Sequence, residues 1–173
     1  VLDIQLTDAT GLMLAGTATV GAGGDWSASL DITSLADGDI DFIVSGEDVA
    51  GNPAGDSYVF HKDATAQITA QFNDPDDVIN ASEAGGILLS GSVLDVEDGQ
   101  PVLVQVADAS GGQVNLSTSV AGGAWTIADV DVSTLSSGDV TVRAGTIDLA
   151  GNVALSLLDT TRLDLLADIL IDE

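Results

Sequence analysis

Apolar and polar residues alternate in short runs along the whole chain. Leu2, Ile4 and Leu6 are separated by Asp3, Gln5 and Thr7, and Val102, Val104 and Val106 repeat that rhythm. Ile40, Phe42 and Val44 form another such run, answered by Val140, Val142 and Ala144. A period of two over five to eight residues predicts half-buried antiparallel strands, one face in a core and one in water. Clusters of Gly, Asp and Asn punctuate the runs, as turns between strands require.

The runs belong to an internal repeat. Asp8-Ala9-Thr10-Gly11 matches Asp108-Ala109-Ser110-Gly111, and Trp26 matches Trp125 after a one-residue gap. Gly38-Asp39-Ile40 matches Gly138-Asp139-Val140, and Asp48-Val49-Ala50-Gly51-Asn52 matches Asp148-Leu149-Ala150-Gly151-Asn152. A collinear match of this length predicts tandem homologous domains. The first copy has no counterpart of residues 66–100. Strands are expected near 66–72, 87–95, 101–108, 113–121, 124–132, 140–148 and 153–160. Seven strands in about 100 residues predict an all-β fold of tandem immunoglobulin-like β-sandwich domains with antiparallel Greek-key connections. The expected divisions are a partial repeat at 1–62, a complete repeat at 63–160, and a linker and first strand of a following repeat at 161–173. Trp26 and Trp125 are expected to anchor equivalent cores, with Phe42 on the same core face as Trp26.

Composition narrows the functions available. The chain holds 28 Asp and Glu against 3 Lys and Arg, a net charge of −25 over 173 residues. Hydrophobic residues make up 45%, enough to build cores, so this is not a disordered acidic tail. Lys62, Arg143 and Arg162 cannot form the basic patch that nucleic acid or an anionic membrane needs. No run of residues is apolar enough to insert into a membrane. The absence of cysteine excludes disulfides and thiol chemistry. His61 is the only histidine, sits at a strand end, and has no match in the second copy. Carboxylate pairs arise by chance among so many acids, so the chain does not read as an enzyme.

Acids on strand faces, such as Asp3, Asp31, Asp39, Asp41, Asp131 and Asp139, are expected to solubilise the sheets and blunt their edges. Acids clustered in loops repel one another, and that cost invites a hard cation such as Ca²⁺, which takes six to eight oxygen ligands. One cluster is Asn73-Asp74-Pro75-Asp76-Asp77-Val78-Ile79-Asn80-Ala81-Ser82-Glu83, between the first two strands of the complete repeat. Its candidate ligands are Asp74, Asp76, Asp77, Asn80 and Glu83. It lacks the spacing and the turn glycine of an EF-hand. A second candidate set, Asp63, Asp95, Glu97, Asp98 and Asp148, is expected to converge where the chain enters the complete repeat. The alternative for Asp148 is a tight turn in which Gly151 or Asn152 is left-handed. Asp159, Asp164 and Asp168 are assigned to the next junction.

The Asp-x-x-Gly-Asn turns at 48–52 and 148–152 resemble those of bacterial immunoglobulin-like repeats in giant secreted adhesins. So do Asp77-Val78-Ile79-Asn80-Ala81-Ser82-Glu83-Ala84 and the Asp159-Thr160-Thr161 segment. The proline usual after that segment is absent. The resemblance spans nearly the whole chain. It implies a calcium-stiffened extender of an adhesin exported by type I secretion (the RTX and biofilm-associated class), with neighbouring repeats as partners and the bacterial surface as location. It also implies Asp63, Asp77, Asn80, Glu83 and Asp148 as ligands.

Two other expectations stand beside it. A carbohydrate- or surface-binding module would use exposed aromatics, of which Tyr58, Phe60 and Phe72 lie off the expected core faces. The incomplete first copy is either part of a longer chain or is completed by strands from another chain.

Overall fold

The computed structural model describes residues 1–166. It divides into two compact units, Val1–Ala64 and a second beginning at Thr65.

The first unit is one four-stranded antiparallel sheet. It contains β1 (Leu2–Asp8), β2 (Met13–Ala18), β3 (Gly38–Glu47) and β4 (Pro53–Lys62), in the order β2-β1-β3-β4. The alternation seen in the sequence sets its faces. Ile4, Leu6 and Ile40 are buried, while Asp3 and Asp41 point to water. Residues 19–37 cross the apolar face without forming a strand. They bring Leu30, Ile32 and Leu35 against Leu6 and Ile40. Leu30 lies over Gly16, where a Cβ would come within 2.7 Å of its Cδ2.

The second unit is a complete sandwich. One sheet contains β9 (Pro101–Asp108), β10 (Gln113–Ser119), β12 (Gly138–Ile147), β13 (Val153–Leu155), β14 (Asp159–Asp164) and β7 (Val78–Asn80). The other contains β5 (Gln67–Ile68), β6 (Gln71–Phe72), β8 (Ile87–Leu94) and β11 (Ala124–Val130). All pairs are antiparallel except β14 with β7, which run parallel. Inward residues of both sheets, among them Leu89, Val104, Trp125, Val142 and Leu163, share one core. This is the immunoglobulin-like arrangement that the strand spacing predicts.

Trp125 organises the second unit. It stands opposite Gly91 in the β11–β8 ladder. Its indole crosses Gly91 and donates from Nε1 to the Thr69 carbonyl at 2.9 Å. A Cβ on residue 91 would lie 1.9 Å from that carbonyl and 2.5 Å from Nε1, so glycine is required there.

Three expectations differ from the structure. Trp26 is not a buried anchor: it is 40% exposed, whereas Trp125 is 2% exposed. The first unit has no counterpart of β8 to pair with residues 25–31, so that segment forms no ladder and Trp26 has no second sheet above it. Phe42 is half-buried for the same reason, and it stacks on Trp26 with ring centroids 6.4 Å apart. Finally, Thr161–Asp164 is not a linker. It lies in β14, paired with β12, and Leu163 is fully buried. The one-residue offset between β4 and β14 is absorbed between Leu155 and Asp159, where Leu157 and Leu158 are extruded into solvent. The expected strand of a following repeat falls largely outside the described residues, as does Asp168.

Candidate functional site: the acidic loops

The acids sort into two physical classes. In the first, a turn satisfies the carboxylate. Asp108 ends β9, and its Oδ1 accepts the Ser110 and Gly112 N–H groups at 2.8 Å each. Its Oδ2 accepts the Ser136 N–H at 2.7 Å, tying this turn to the loop before β12. Asp8 does the same in the first unit, with Thr10, Leu12 and Ala36 as donors. Both are buried. Asp148 closes the turn between β12 and β13, accepting from the Asn152 N–H and Nδ2 at 2.7 Å each. Asp48 repeats that geometry with Asn52. Gly51 and Gly151 take positive φ, as the turn alternative requires.

Hydrogen bonds to a carboxylate favour its charged form. The Thr10 hydroxyl, then the Ala36 N–H, lower Asp8 to about 2. Asp108 is held below its ordinary value chiefly by the Ser136 and Gly112 N–H groups. For Asp148, burial pushes upward, but the Asn152 side chain and backbone outweigh it and the net shift is down.

These shifts set a pH dependence. A group whose folded pKa is depressed contributes stability above its unfolded pKa, and that contribution is lost as pH falls through the folded value. The first unit should therefore hold its Asp8 contribution above about pH 4 and lose it between 3.8 and about 2. Asp8→Asn should flatten the acid limb of its denaturation curve in that window. An unchanged limb would exclude Asp8 as a contributor.

The second class contains Asp74. Among carboxylates with a resolved shift, it alone is pushed upward, first by burial and then by the charge of Asp76, with Glu83 also repelling it. Its Oδ2 is buried and accepts no hydrogen bond. Asp74 and Glu83 line a cleft of about 400 Å³ with Asn73, Ser82 and Gly86. Asp77 takes positive φ, and its carbonyl accepts the Arg162 N–H at 3.3 Å, fixing the loop to β14. Asn80 and Glu83 form a reciprocal turn. Glu83 Oε2 accepts the Asn80 N–H at 3.0 Å, and Asn80 Oδ1 accepts the Ser82 N–H at 2.9 Å. The buried, unpartnered oxygen beside like charges fits a hard cation. Even so, no group of three or more acids or histidines among the described residues is already gathered around a common point.

The other expected ligands are partly engaged. Glu97 Oε2 accepts the Leu149 N–H at 3.0 Å, and Asp98 Oδ1 accepts the Gly122 N–H at 2.8 Å. Asp95 has positive φ and reaches the Thr65 hydroxyl at 3.5 Å. Asp63 follows β4 in the first unit. Asp159 serves its own unit, accepting the Phe72 N–H at 2.8 Å, and Asp164 lies 3.9 Å from Arg162. Sequence reasoning missed the roles of Asp8 and Asp108. Their signal was present in the repeated Asp-Ala-Thr/Ser-Gly, which is the turn they close.

The fold has solved counterparts. A tetra-tandem repeat from the extending region of a large adhesion protein is 31% identical, with a TM-score of 0.53 over 94% of this chain and 41% of that one. A bacterial immunoglobulin-like domain from the M. primoryensis ice-binding adhesin is 30% identical over 56% of this chain and 96% of that one, with a TM-score of 0.39. A Ca²⁺-stabilized adhesin with which an Antarctic bacterium binds ice is 26% identical over 96% of this chain and 41% of that one, with a TM-score of 0.43. The chain is structurally homologous to the extending-region repeats of that large adhesion protein. Its two units repeat one another in sequence, as tandem modules do. It spans less than half the length of the tetra-tandem array. No protein-family profile and no curated protein matches it.

Proposed function

We propose that the chain is an extender segment of a bacterial surface adhesin, outside the cell, whose repeats space a distal binding domain from the surface and are stiffened by calcium. Export by type I secretion, in a calcium-poor and unfolded state, belongs to the same reading. The similarity to an extending region supports the spacer role. The observation that carries the calcium role is the buried, unpartnered Oδ2 of Asp74 beside Asp76 and Glu83.

Asp74, Asp76 and Glu83 would hold the ion, with Asp77 and Asn80 in the same loop completing an oxygen set. Bound calcium would neutralise the repulsion that raises Asp74. It would also hold the loop before β7 against β14. Extracellular sites of this kind bind at about 10⁻⁴–10⁻³ M. At ten times the dissociation constant, linkage adds about 1.4 kcal/mol of stability.

Asp74→Asn gives an unusual expectation. A group whose folded pKa is raised costs stability while it is ionised. The variant should therefore be more stable than the parent without calcium, and it should no longer gain from calcium. Glu83→Gln should weaken calcium binding and reduce the gain. Calorimetric titration of the full chain, with melting curves in calcium and in chelator, reads both effects. Equal calcium responses in the parent and both variants would remove this loop from the proposal.

A further inference from the structure

The outer face of the second unit is not the ordinary wet face of a sandwich. Leu103 on β9 and Leu155 on β13 both stand opposite Gly145 on β12. They form two apolar walls over a glycine floor, where a Cβ would lie 3.2 Å from Leu155 Cδ1. One step along β12, Ile147 stands opposite Val153. One step the other way, Arg143 stands opposite Gln105. The result is a trough of about 700 Å³ with Arg143 at one end and, at the other, apolar side chains beside Asp148, whose carboxylate is occupied by Asn152. Leu103, Ile147, Val153 and Leu155 are each more than half exposed.

The fold does not require this face. In the first unit the same ladder positions hold Asp3, Ser45, Glu47 and Gly55. A soluble, strongly acidic chain that sets leucine where its own repeat has aspartate is carrying exposed apolar area without a packing reason. Arg143 sharpens this. It is one of 3 cations in the chain. Lys62 and Arg162 face Asp37 and Asp164, but no carboxylate is paired with Arg143 among the described residues. Beside it, Gln105 is fixed by the hydrogen bonds its Nε2 donates to Gln113 Oε1 and Asn115 Oδ1, at 3.2 and 3.0 Å.

We propose that this trough binds a single-chain amphiphile with an anionic head, a fatty-acid-like carboxylate whose tail lies over Gly145 between Leu103 and Leu155. The size suits a small ligand, and an arginine fork matches a carboxylate. A second copy of the chain is a poorer occupant, since two bodies of charge −25 repel. An anionic membrane surface is disfavoured on the same ground. None of the residues lining the trough belongs to the Asp74 loop, so the proposal stands or falls independently of calcium at that loop.

The test is a titration of the full chain with dodecanoate below its micelle concentration, read by calorimetry and by displacement of anilinonaphthalene sulfonate. Saturable binding is expected, at least tenfold tighter than that of a dodecyl chain with a neutral sugar head. Arg143→Gln should weaken dodecanoate at least tenfold and erase the preference for the charged head. Leu103→Asp and Ile147→Glu install first-unit residues, so they should fold and should abolish binding of both probes. Four results would overturn the proposal. These are no saturable binding, affinity unchanged in Arg143→Gln or Leu103→Asp, dimerisation of the parent that Leu103→Asp abolishes, and preferential binding to neutral phosphatidylcholine vesicles.

Discussion

Trp125→Ala should destabilise the second unit by about 3–5 kcal/mol, whereas Trp26→Ala should cost the first unit about 1 kcal/mol. The two tryptophans hold matching positions in the repeat, so sequence alone predicts equal effects. Trp125 is 2% exposed, packs in the core between the two sheets, and donates to Thr69. Its removal leaves a cavity at the centre of the sandwich and strips the Thr69 carbonyl of its donor. Trp26 is 40% exposed and contributes mainly its stack on Phe42. Because each unit has its own core, denaturant melts should show two transitions, and Trp125→Ala should move only the one that belongs to the second unit. Gly91→Ala should move the same transition, since its methyl would meet the Thr69 carbonyl that the indole now reaches. Equal shifts for the two tryptophan variants would mean that the first unit is packed more like the second than the structure indicates.

The contrast shows what was legible in the sequence. The period of two placed β1, β3, β9 and β12 to within a few residues, because alternation depends only on neighbouring positions. The repeat then carried the sandwich from one copy to the other, because equivalent positions share backbone geometry. What it could not carry was burial. Whether Trp26 is covered depends on a partner strand like β8, which residues 1–64 do not contain. The split of the last strand into β13 and β14 was hidden for a related reason. A one-residue difference shifts ladder register without changing the alternation that reveals a strand. The acids were harder still. Asp108, Asp148 and Asp74 are alike in sequence, and a loop's acid count does not tell a carboxylate filled by N–H donors from one with a buried oxygen left unpartnered. Three-dimensional donors decide that, and they divide the acids into turn-closers held in their charged form and one strained group, Asp74.

Joining a second copy of Thr65–Gln100 ahead of Val1 should turn the first unit into a closed sandwich. In the second unit that segment supplies β5, β6, β7 and β8 and leads directly into β9, the counterpart of β1. The graft would therefore set a copy of β8 beside residues 25–31, and its Gly91 and Thr69 beneath the Trp26 indole. Burying a large side chain contributes about 1.5–3 kcal/mol, and Trp26, Phe42 and Tyr58 all gain cover. Two effects oppose this. Ordering the graft costs conformational entropy, and the first unit carries Phe42 and Tyr58 where the second has Val142 and Asp159, so the closed core is overfilled by about 1–3 kcal/mol. The graft brings its own core residues with it, and the first unit's transition should move to higher denaturant. In a Trp125→Phe background, Trp26 emission should move to shorter wavelength and become resistant to acrylamide quenching. Tyr58→Asp would restore the acceptor that Asp159 offers the Phe72 N–H, and it should raise the gain further. If Trp26 stays quenchable while the graft is soluble and the second unit is unperturbed, the first unit's face is not a vacant sandwich half. In that case its aromatics, Trp26 and Tyr58, are exposed for contact with something other than strands.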